Sequence, residues 1–398
     1  MIERVRMDEI ADVTKLAGFE FTKYMEYIPD GEIIAVRALN LKNGSLVLDD
    51  VRRIERSVSD SLTRSKLYVN DIVLSYTGTI GETAQITENN RYHLAPNVAK
   101  IAPDISKINP QYLFLYIRSN EFKQQMLNHA HGSTQMTVPM KVIRELTVPI
   151  FERAIQDNIA SILVSIDRKI EKNKRINDNL YAQARAITNQ WITENDSDYE
   201  LLPLSEVAVI NPDTYSPKEE WEYVNYLDTS SITDGYIADV QRITPSIEKL
   251  PSRARRIIAS NDIVFSTVRP NQRHFGIISN PLPNMLASTG FAVIRSMNPL
   301  VCNELIYLCL TENVFIEKMQ QLAAQSTSTF PSIKPSDLGV CEIPCPKDDS
   351  SSNPAETLKA MFALIAANHR ENASLAELRD SLLPRLMSGE VDVSDIDI

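Results

Sequence analysis

Signatures of catalysis are missing from this sequence. It has no Pro-Pro dipeptide, which excludes the Asn/Asp-Pro-Pro-aromatic motif of an adenine methyltransferase. None of its 11 glycines forms a Gly-x-Gly, so the glycine-rich loops that hold S-adenosylmethionine or a dinucleotide are not expected, and no GxxxxGK[ST] phosphate loop occurs. The five histidines (His93, His129, His131, His274, His369) form no HExxH, and His129-x-His131 reads as a pair of loop histidines rather than metal ligands. Pro29-Asp30 and Pro103-Asp104 resemble the start of a nuclease motif, but no suitably placed Glu-x-Lys follows either. No catalytic residue and no metal site is therefore expected. The four cysteines, Cys302, Cys309, Cys341 and Cys345, lie in the second half without a CxxC pair and are expected as buried or half-buried thiols. No apolar run reaches the ~20 residues needed to span a bilayer. The first residues carry charges where a signal peptide needs an apolar stretch, so a soluble, cytoplasmic protein with no membrane partner is expected.

What is present is ordinary in composition and unusual in order. With 398 residues, 43% hydrophobic and 23% charged, the chain can bury two or three cores. It also contains itself twice, with a period of about 190–200 residues. Asn70-Asp71-Ile72-Val73-Leu74-Ser75 matches Asn261-Asp262-Ile263-Val264-Phe265-Ser266 at offset 191, and the turn dipeptide Asn43-Gly44 matches Asp234-Gly235 at the same offset. Gly132 to Pro139 aligns with Ala324 to Pro331 at offset 192, and Leu146 to Pro149 with Cys341 to Pro344 at offset 195. Each half reads as short strands bounded by turn residues plus a helix. The first such helix opens at Asn109-Pro110 and runs through Tyr112, Leu113, Leu115, Tyr116 and Phe122, and its counterpart covers Leu305, Ile306, Leu308 and Phe315.

A long helix closes each half. From about 154 to 191 there is neither glycine nor proline. Apolar residues recur at alternating steps of four and three through Ile159, Leu163, Ile166 and Ile170, then Leu180, Ala184, Ile187 and Trp191, a coiled-coil seam interrupted by Asn173 and Asn177. The second helix, about 355 to 387, repeats the stripe at offset 199 through Leu358, Phe362 and Ile365, with Asn372 matching Asn173. Arg379 and His369 stand where the first stripe has Leu180 and Ile170, so the second stripe is weaker. Each helix would be on the order of 50 Å long. Antiparallel self-packing is expected, with Asn173 and Asn372 fixing register at some cost in stability, unless they face solvent where the seam loosens. Docking of a partner on the same helices is equally compatible with the pattern.

The formal net charge is −11, which by itself opposes nucleic-acid binding. The charge is segregated, however. Residues 242–273 carry a net +5 and residues 42–66 a net +2, whereas acids gather at Glu194, Asp196, Asp198 and Glu200 and at Glu390, Asp392, Asp395 and Asp397. A basic segment beside the probable strands of each half fits DNA contact by the two globular regions. The candidate contacts in the first half are Arg52, Arg53, Arg64, Tyr76, Thr77, Thr79, Ser133, Thr134 and Gln135. Those in the second are Arg253, Arg255, Arg256, Arg269, Asn271, Gln272, Arg273, Ser326, Thr327 and Ser328. Arginine pairs bidentately with guanine or phosphate, and the two polar loops offer small donors and acceptors for base edges.

Several stretches also resemble a known family. Ile159-Ala160-Ser161-Ile162-Leu163, Asp167 to Asn177 and Asn179 to Ile187 are similar to the central helix of type I restriction–modification specificity subunits. Leu378 to Glu390 resembles the C-terminal signature of that family, and Asn70 to Ser75 with Gly78-Thr79-Ile80-Gly81 resembles its first-domain core. The likeness covers nearly the whole chain. It implies an α+β fold of two pseudo-repeated globular target-recognition domains joined by two long antiparallel coiled-coil helices. The expected division is a first domain over 1–151, a first helix over 152–192, a second domain over 193–350, a second helix over 351–390 and an acidic tail over 391–398. It further implies a non-catalytic subunit in which each domain reads half of a bipartite site in double-stranded DNA. The helices would set the spacer and dock methyltransferase subunits and, through them, the restriction (motor–nuclease) subunits. S-adenosylmethionine, ATP and Mg would sit on those partners. The competing readings are an orphan specificity subunit, a coiled-coil protein-interaction scaffold and, against the missing motifs, a self-contained enzyme.

Overall fold

The structure, a computed structural model, describes residues 3–132, 135–194, 198–216, 218–326, 331–348 and 353–394. The chain divides into two compact units, one of Met1–Ile170 with Ala373–Ile398 and one of Glu171–Asn372. Each contains a globular α+β part and a stretch of both long helices, Arg153–Glu194 and Ala355–Met387. Among the described residues no helix is long and apolar enough to cross a membrane.

The two globular parts repeat one element order. In unit 1, strand Glu3–Arg6 pairs antiparallel with Thr147–Ile150, and in unit 2 Tyr199–Pro203 pairs the same way with Glu342–Pro346. A four-stranded antiparallel sheet follows in each, with Val98–Pro103 lying between Ala11–Lys15 and Ile72–Ser75 in unit 1 and Phe291–Ser296 lying between Ala208–Ile210 and Asp262–Ser266 in unit 2. Both units also carry a sheet with one parallel pairing, Ile33–Val36 on Tyr92–Leu94 and Val224–Leu227 on Met285–Ser288.

The repeated Asn-Asp dipeptide has a structural cause. Asn70 and Asn261 adopt φ of 74° and 64°, a left-handed conformation that asparagine tolerates, and turn the chain into the central strand. The next residue closes the turn, since Asp71 accepts the Tyr68 N–H at 2.8 Å and Asp262 the Ala259 N–H at 2.7 Å. Gly44 and Gly235 serve two ends at once. Each has φ near +80°, as a two-residue hairpin demands, and a Cβ would lie 2.6 Å from Arg118 Nε in unit 1 or 2.8 Å from Tyr181 Oη in unit 2. The hairpin thereby rests on the group that ties the globular part to the long helix, because Arg118 pairs with Asp167 at 2.9 Å and Tyr181 is itself on the helix.

Two sequence expectations change. The helix opening at Asn109 is capped as expected, its side chain accepting from Gln111 and Tyr112 N–H, but it ends at Ile117. Ser119 then caps a separate helix, Asn120–Leu127, by accepting the Phe122 N–H, so Phe122 belongs to the second. Unit 2 breaks likewise between Asn303–Leu310 and Asn313–Ala324, placing Phe315 beyond the break. Apolar spacing alone hides such a break, since both helices face one core.

The helix seam is apolar at its ends and polar in the middle. Ile159 and Leu163 join the unit 1 core with Leu386, and Leu358, Phe362 and Ile365 join the unit 2 core with Ala184. Each such leucine, isoleucine or phenylalanine contributes about 1.5–3 kcal/mol by leaving water. Within unit 2, Asn173 Nδ2 donates to Asn372 Oδ1 at 2.9 Å and to Glu371 Oε2 at 2.7 Å, while Asn368 Nδ2 donates to Asn177 Oδ1 at 2.7 Å. All four asparagines are buried. Four residues forward on one helix meet four residues back on the other, which makes the pairing antiparallel. In unit 1 the weaker stripe is met by charge: Arg379 reaches Asp167 at 2.8 Å, sharing it with Arg118.

His93 lies fully buried on strand Tyr92–Leu94, its ring nitrogens facing the carbonyls of Leu94 at 2.9 Å and Leu62 at 3.4 Å. Burial holds its pKa below 6.5. The unfolded chain therefore takes up this proton more readily than the folded one, and stability falls as pH drops below the unfolded value toward the folded one. The thermal midpoint should decline as pH falls below about 6.5, and His93→Gln should flatten part of that decline. An unchanged slope in the variant would assign the effect elsewhere, for instance to His369, which burial shifts the same way.

Candidate nucleic-acid interface

The central strands Ile72–Ser75 and Asp262–Ser266 run out into segments that carry Tyr76, Thr77 and Thr79 in unit 1 and Arg269, Asn271, Gln272 and Arg273 in unit 2. The same three backbone hydrogen bonds fix both segments. Tyr76 N–H donates to Asn97 C=O at 3.3 Å and Thr267 N–H to Gly290 C=O at 2.8 Å. Gly78 N–H donates to Met136 C=O at 3.0 Å and Arg269 N–H to Pro331 C=O at 2.9 Å. Val138 and Ile333 N–H donate to Tyr76 and Thr267 C=O, both at 2.9 Å. These bonds correct the expected alignment of the polar loops: Val138 corresponds to Ile333, an offset of 195 rather than 192. The small polar residues suggested the wrong register because the anchor is backbone.

In unit 1 the segment lines an open cleft of about 440 Å³ with Tyr27, Arg37, Thr77, Thr79, Asn97 and Gln135 on its walls. Tyr76 and Thr77 are buried, and Thr137 Oγ1 donates to Thr77 Oγ1 at 3.2 Å. Thr79 and Gln135 are exposed, and the Ser75 hydroxyl donates to the Thr79 carbonyl. Ser133 and Thr134 lie outside the described residues. Arg37 and Asn97 were not singled out by sequence. Arg37 falls before the basic stretch, and its guanidinium is aimed by Asp50, whose carbonyl accepts at 2.8 Å and whose carboxylate stands at 3.2 Å. Asn97 is marked only by its φ of 69°, which sequence does not display.

In unit 2 the wall chemistry is rearranged. Asp228 stands at the place of Arg37 and accepts the Tyr226 hydroxyl at 2.9 Å. Arg269 stands at the place of Gly78 and is exposed, as are Asn271 and Gln272. Arg273 is held by Asp234 at 2.6 Å and Asn313 at 3.1 Å. Ser326 donates its N–H to Ala323 C=O at 3.1 Å. Thr327 and Ser328 lie outside the described residues.

The basic segments differ in build. Arg52 and Arg53 sit on edge strand Arg52–Ile54, Arg52 exposed and Arg53 reaching Gly31 C=O at 3.4 Å, and Arg64 is exposed in the helical turn Thr63–Ser65. The corresponding stretch of unit 2 is a strand, Ala254–Ile257, added to the sheet edge. Arg253 just before it is exposed, Arg255 Nε donates to Ser252 C=O at 3.2 Å, and Arg256 is half-buried with its pKa lowered by burial. Arg64 and Arg255 thus share a chain position but not a local conformation. The thiols of Cys302, Cys341 and Cys345 are buried and that of Cys309 half-buried, and burial pushes Cys302 and Cys341 up to about 12. Among the described residues no group of three or more His, Cys, Asp or Glu side chains is arranged to hold a metal.

One backbone frame presented twice with different side chains defines a duplicated recognition protein. Residues 2–181 match the profile of the Type I restriction modification DNA specificity domain. The HindI specificity subunit of Haemophilus influenzae is 22% identical, over 76% of this chain and 82% of that protein, and the MjaIX specificity subunit of Methanocaldococcus jannaschii is 20% identical over 98% and 94%. The crystal structure of a type I restriction–modification S subunit from M. genitalium shares the fold, with a TM-score of 0.59 and 16% identity over 97% of this chain and 96% of that one. By sequence the chain is similar to the specificity subunits of type I restriction–modification systems over most of its length, and residues 2–181 match their specificity domain.

Proposed function

We propose that the chain gives a type I restriction–modification complex its sequence specificity, each unit reading one half of a bipartite DNA site. The observation that carries this is the pair of matched frames with unlike walls: Arg37 against Asp228 and Gly78 against Arg269 suit two different half-site sequences. The exposed arginines 52, 64, 253 and 269 supply local positive charge despite the negative total. The long helices set the gap between half-sites and dock the methyltransferase subunits, through which the restriction subunits join. Methyl transfer and cleavage belong to those partners, along with S-adenosylmethionine, ATP and Mg. The test is methylome sequencing of a host that expresses this chain with its neighbouring methyltransferase gene, against one lacking this chain. A new methylated motif of two defined halves and a fixed gap is expected. No new motif, with the methyltransferase demonstrably present, would overturn the reading.

A further inference from the structure

Gly78 and Arg269 occupy the same place in the two frames, and both have positive φ, 80° and 48°. Glycine adopts this conformation freely, whereas an arginine is strained there and persists only when its surroundings hold it. Arg273, four residues on, is also left-handed at φ 59° and is clamped by Asp234. In unit 1 the space over Gly78 is covered from the facing loop, since a Cβ on Gly78 would lie 3.4 Å from Gln135 Nε2. The side chain of Arg269 thus departs from the point that Gln135 covers in unit 1. One long planar hydrogen-bonding side chain serves this point in each unit, borne by the loop in one and by the strand exit in the other.

We propose that this point reads one base pair in each half-site, Gln135 selecting adenine and Arg269 selecting guanine. The glutamine amide offers one donor and one acceptor, matching adenine N7 and the N6 amino group. The guanidinium offers two parallel donors, matching guanine O6 and N7. The proposal rests on the reading of both units as DNA-binding and adds to it the base chosen at one position of each half. Strain separates it from a purely structural role for the arginine, because Arg269→Gly removes a side chain from a position whose twin is already glycine. A variant that folds yet reads less is therefore expected.

The experiment takes the motif from the wild-type methylome. It then measures competition binding of the assembled methyltransferase complex to duplexes carrying every base pair at each motif position, for wild type, Arg269→Gly and Gln135→Ala. Arg269→Gly should lose roughly five- to hundredfold discrimination at one G·C position of one half-site and keep the other half-site intact. The variant should still fold, because the twin position in unit 1 is already glycine. Gln135→Ala should lose comparable discrimination at one A·T position of the other half-site. Full discrimination retained in both variants, relaxation at the opposite base-pair type, or an equal loss of affinity for all duplexes would overturn the inference while DNA recognition stands. A wild-type complex with no motif and no sequence preference would overturn the underlying reading and the inference with it.

Discussion

Replacing Arg295 with methionine should destabilise unit 2 by about 3–5 kcal/mol. Asp262 is fully buried at the start of the central strand, and Arg295 binds it twice, Nε to Oδ1 at 2.7 Å and a terminal nitrogen to Oδ2 at 2.8 Å. Arg295 also reaches Asp213 at 3.0 Å, and its own pKa is raised, mainly by the hydrogen bonds it donates to Asp262. Methionine fills much of the same volume but, among the described residues, leaves the Asp262 carboxylate with only the Ala259 N–H. A buried charge without its partner costs far more than the pair contributes. At about 2–4 °C per kcal/mol for a unit of this size, the unfolding midpoint should fall by roughly 10 °C. Asp262→Asn added to Arg295→Met should recover part of the loss, since the buried charge is then gone. A single variant within about 1 kcal/mol of wild type would mean that water reaches Asp262. Because this strand leads straight into Thr267 and Arg269, second-half recognition should weaken along with stability.

The asparagines of the helix seam give the other large effect, and its sign depends on how many are changed. Asn173→Leu alone strands the Asn372 amide in a buried seam, which should cost about 1–3 kcal/mol. Asn173→Leu with Asn372→Leu removes both polar groups and should be neutral or stabilising. In unit 2 the doubly substituted seam is left with Asn177, bonded to Asn368 and to the Ile365 carbonyl, to define its register. The methylated motif is the readout, and the double variant is expected to admit gaps of more than one length. Greater stability with an unchanged single gap would show that apolar packing suffices to fix register.

Local signals survive translation from sequence to structure, and contacts between distant segments do not. The Asn-Asp dipeptides, the two hairpin turns and the long seam each depend on residues a few positions apart, and their spacing exposed the duplication. The break at Ser119 was hidden because both flanking helices bury the same face. Asn368 went unnoticed because the second stripe is interrupted by His369 and Arg379, so its partner on the other helix could not be read from spacing. At the candidate interface, Thr77, Thr79 and Gln135 were legible and do meet in one cleft. Arg37 was not, because strand order brings it there from outside the basic stretch. The strained backbone of Arg269 was equally invisible, since only the matched hydrogen bonds reveal that its twin is a glycine.

The two hairpin turns also bear on how the protein ages. Asn-Gly is the dipeptide in which the following backbone nitrogen most easily attacks the side-chain amide, releasing ammonia and forming a cyclic imide that water opens to aspartate or its isomer. Loss of the Asn43 amide to ordinary aspartate would produce Asp-Gly, the dipeptide that already makes the equivalent turn at 234–235 with φ of 45° and 80°. That product is a sequence the second unit has adopted permanently. The isomeric product inserts a methylene into the backbone of a two-residue turn whose glycine already lies against Arg118. Chemical wear at this single position should therefore divide old molecules into a harmless class and a damaged one.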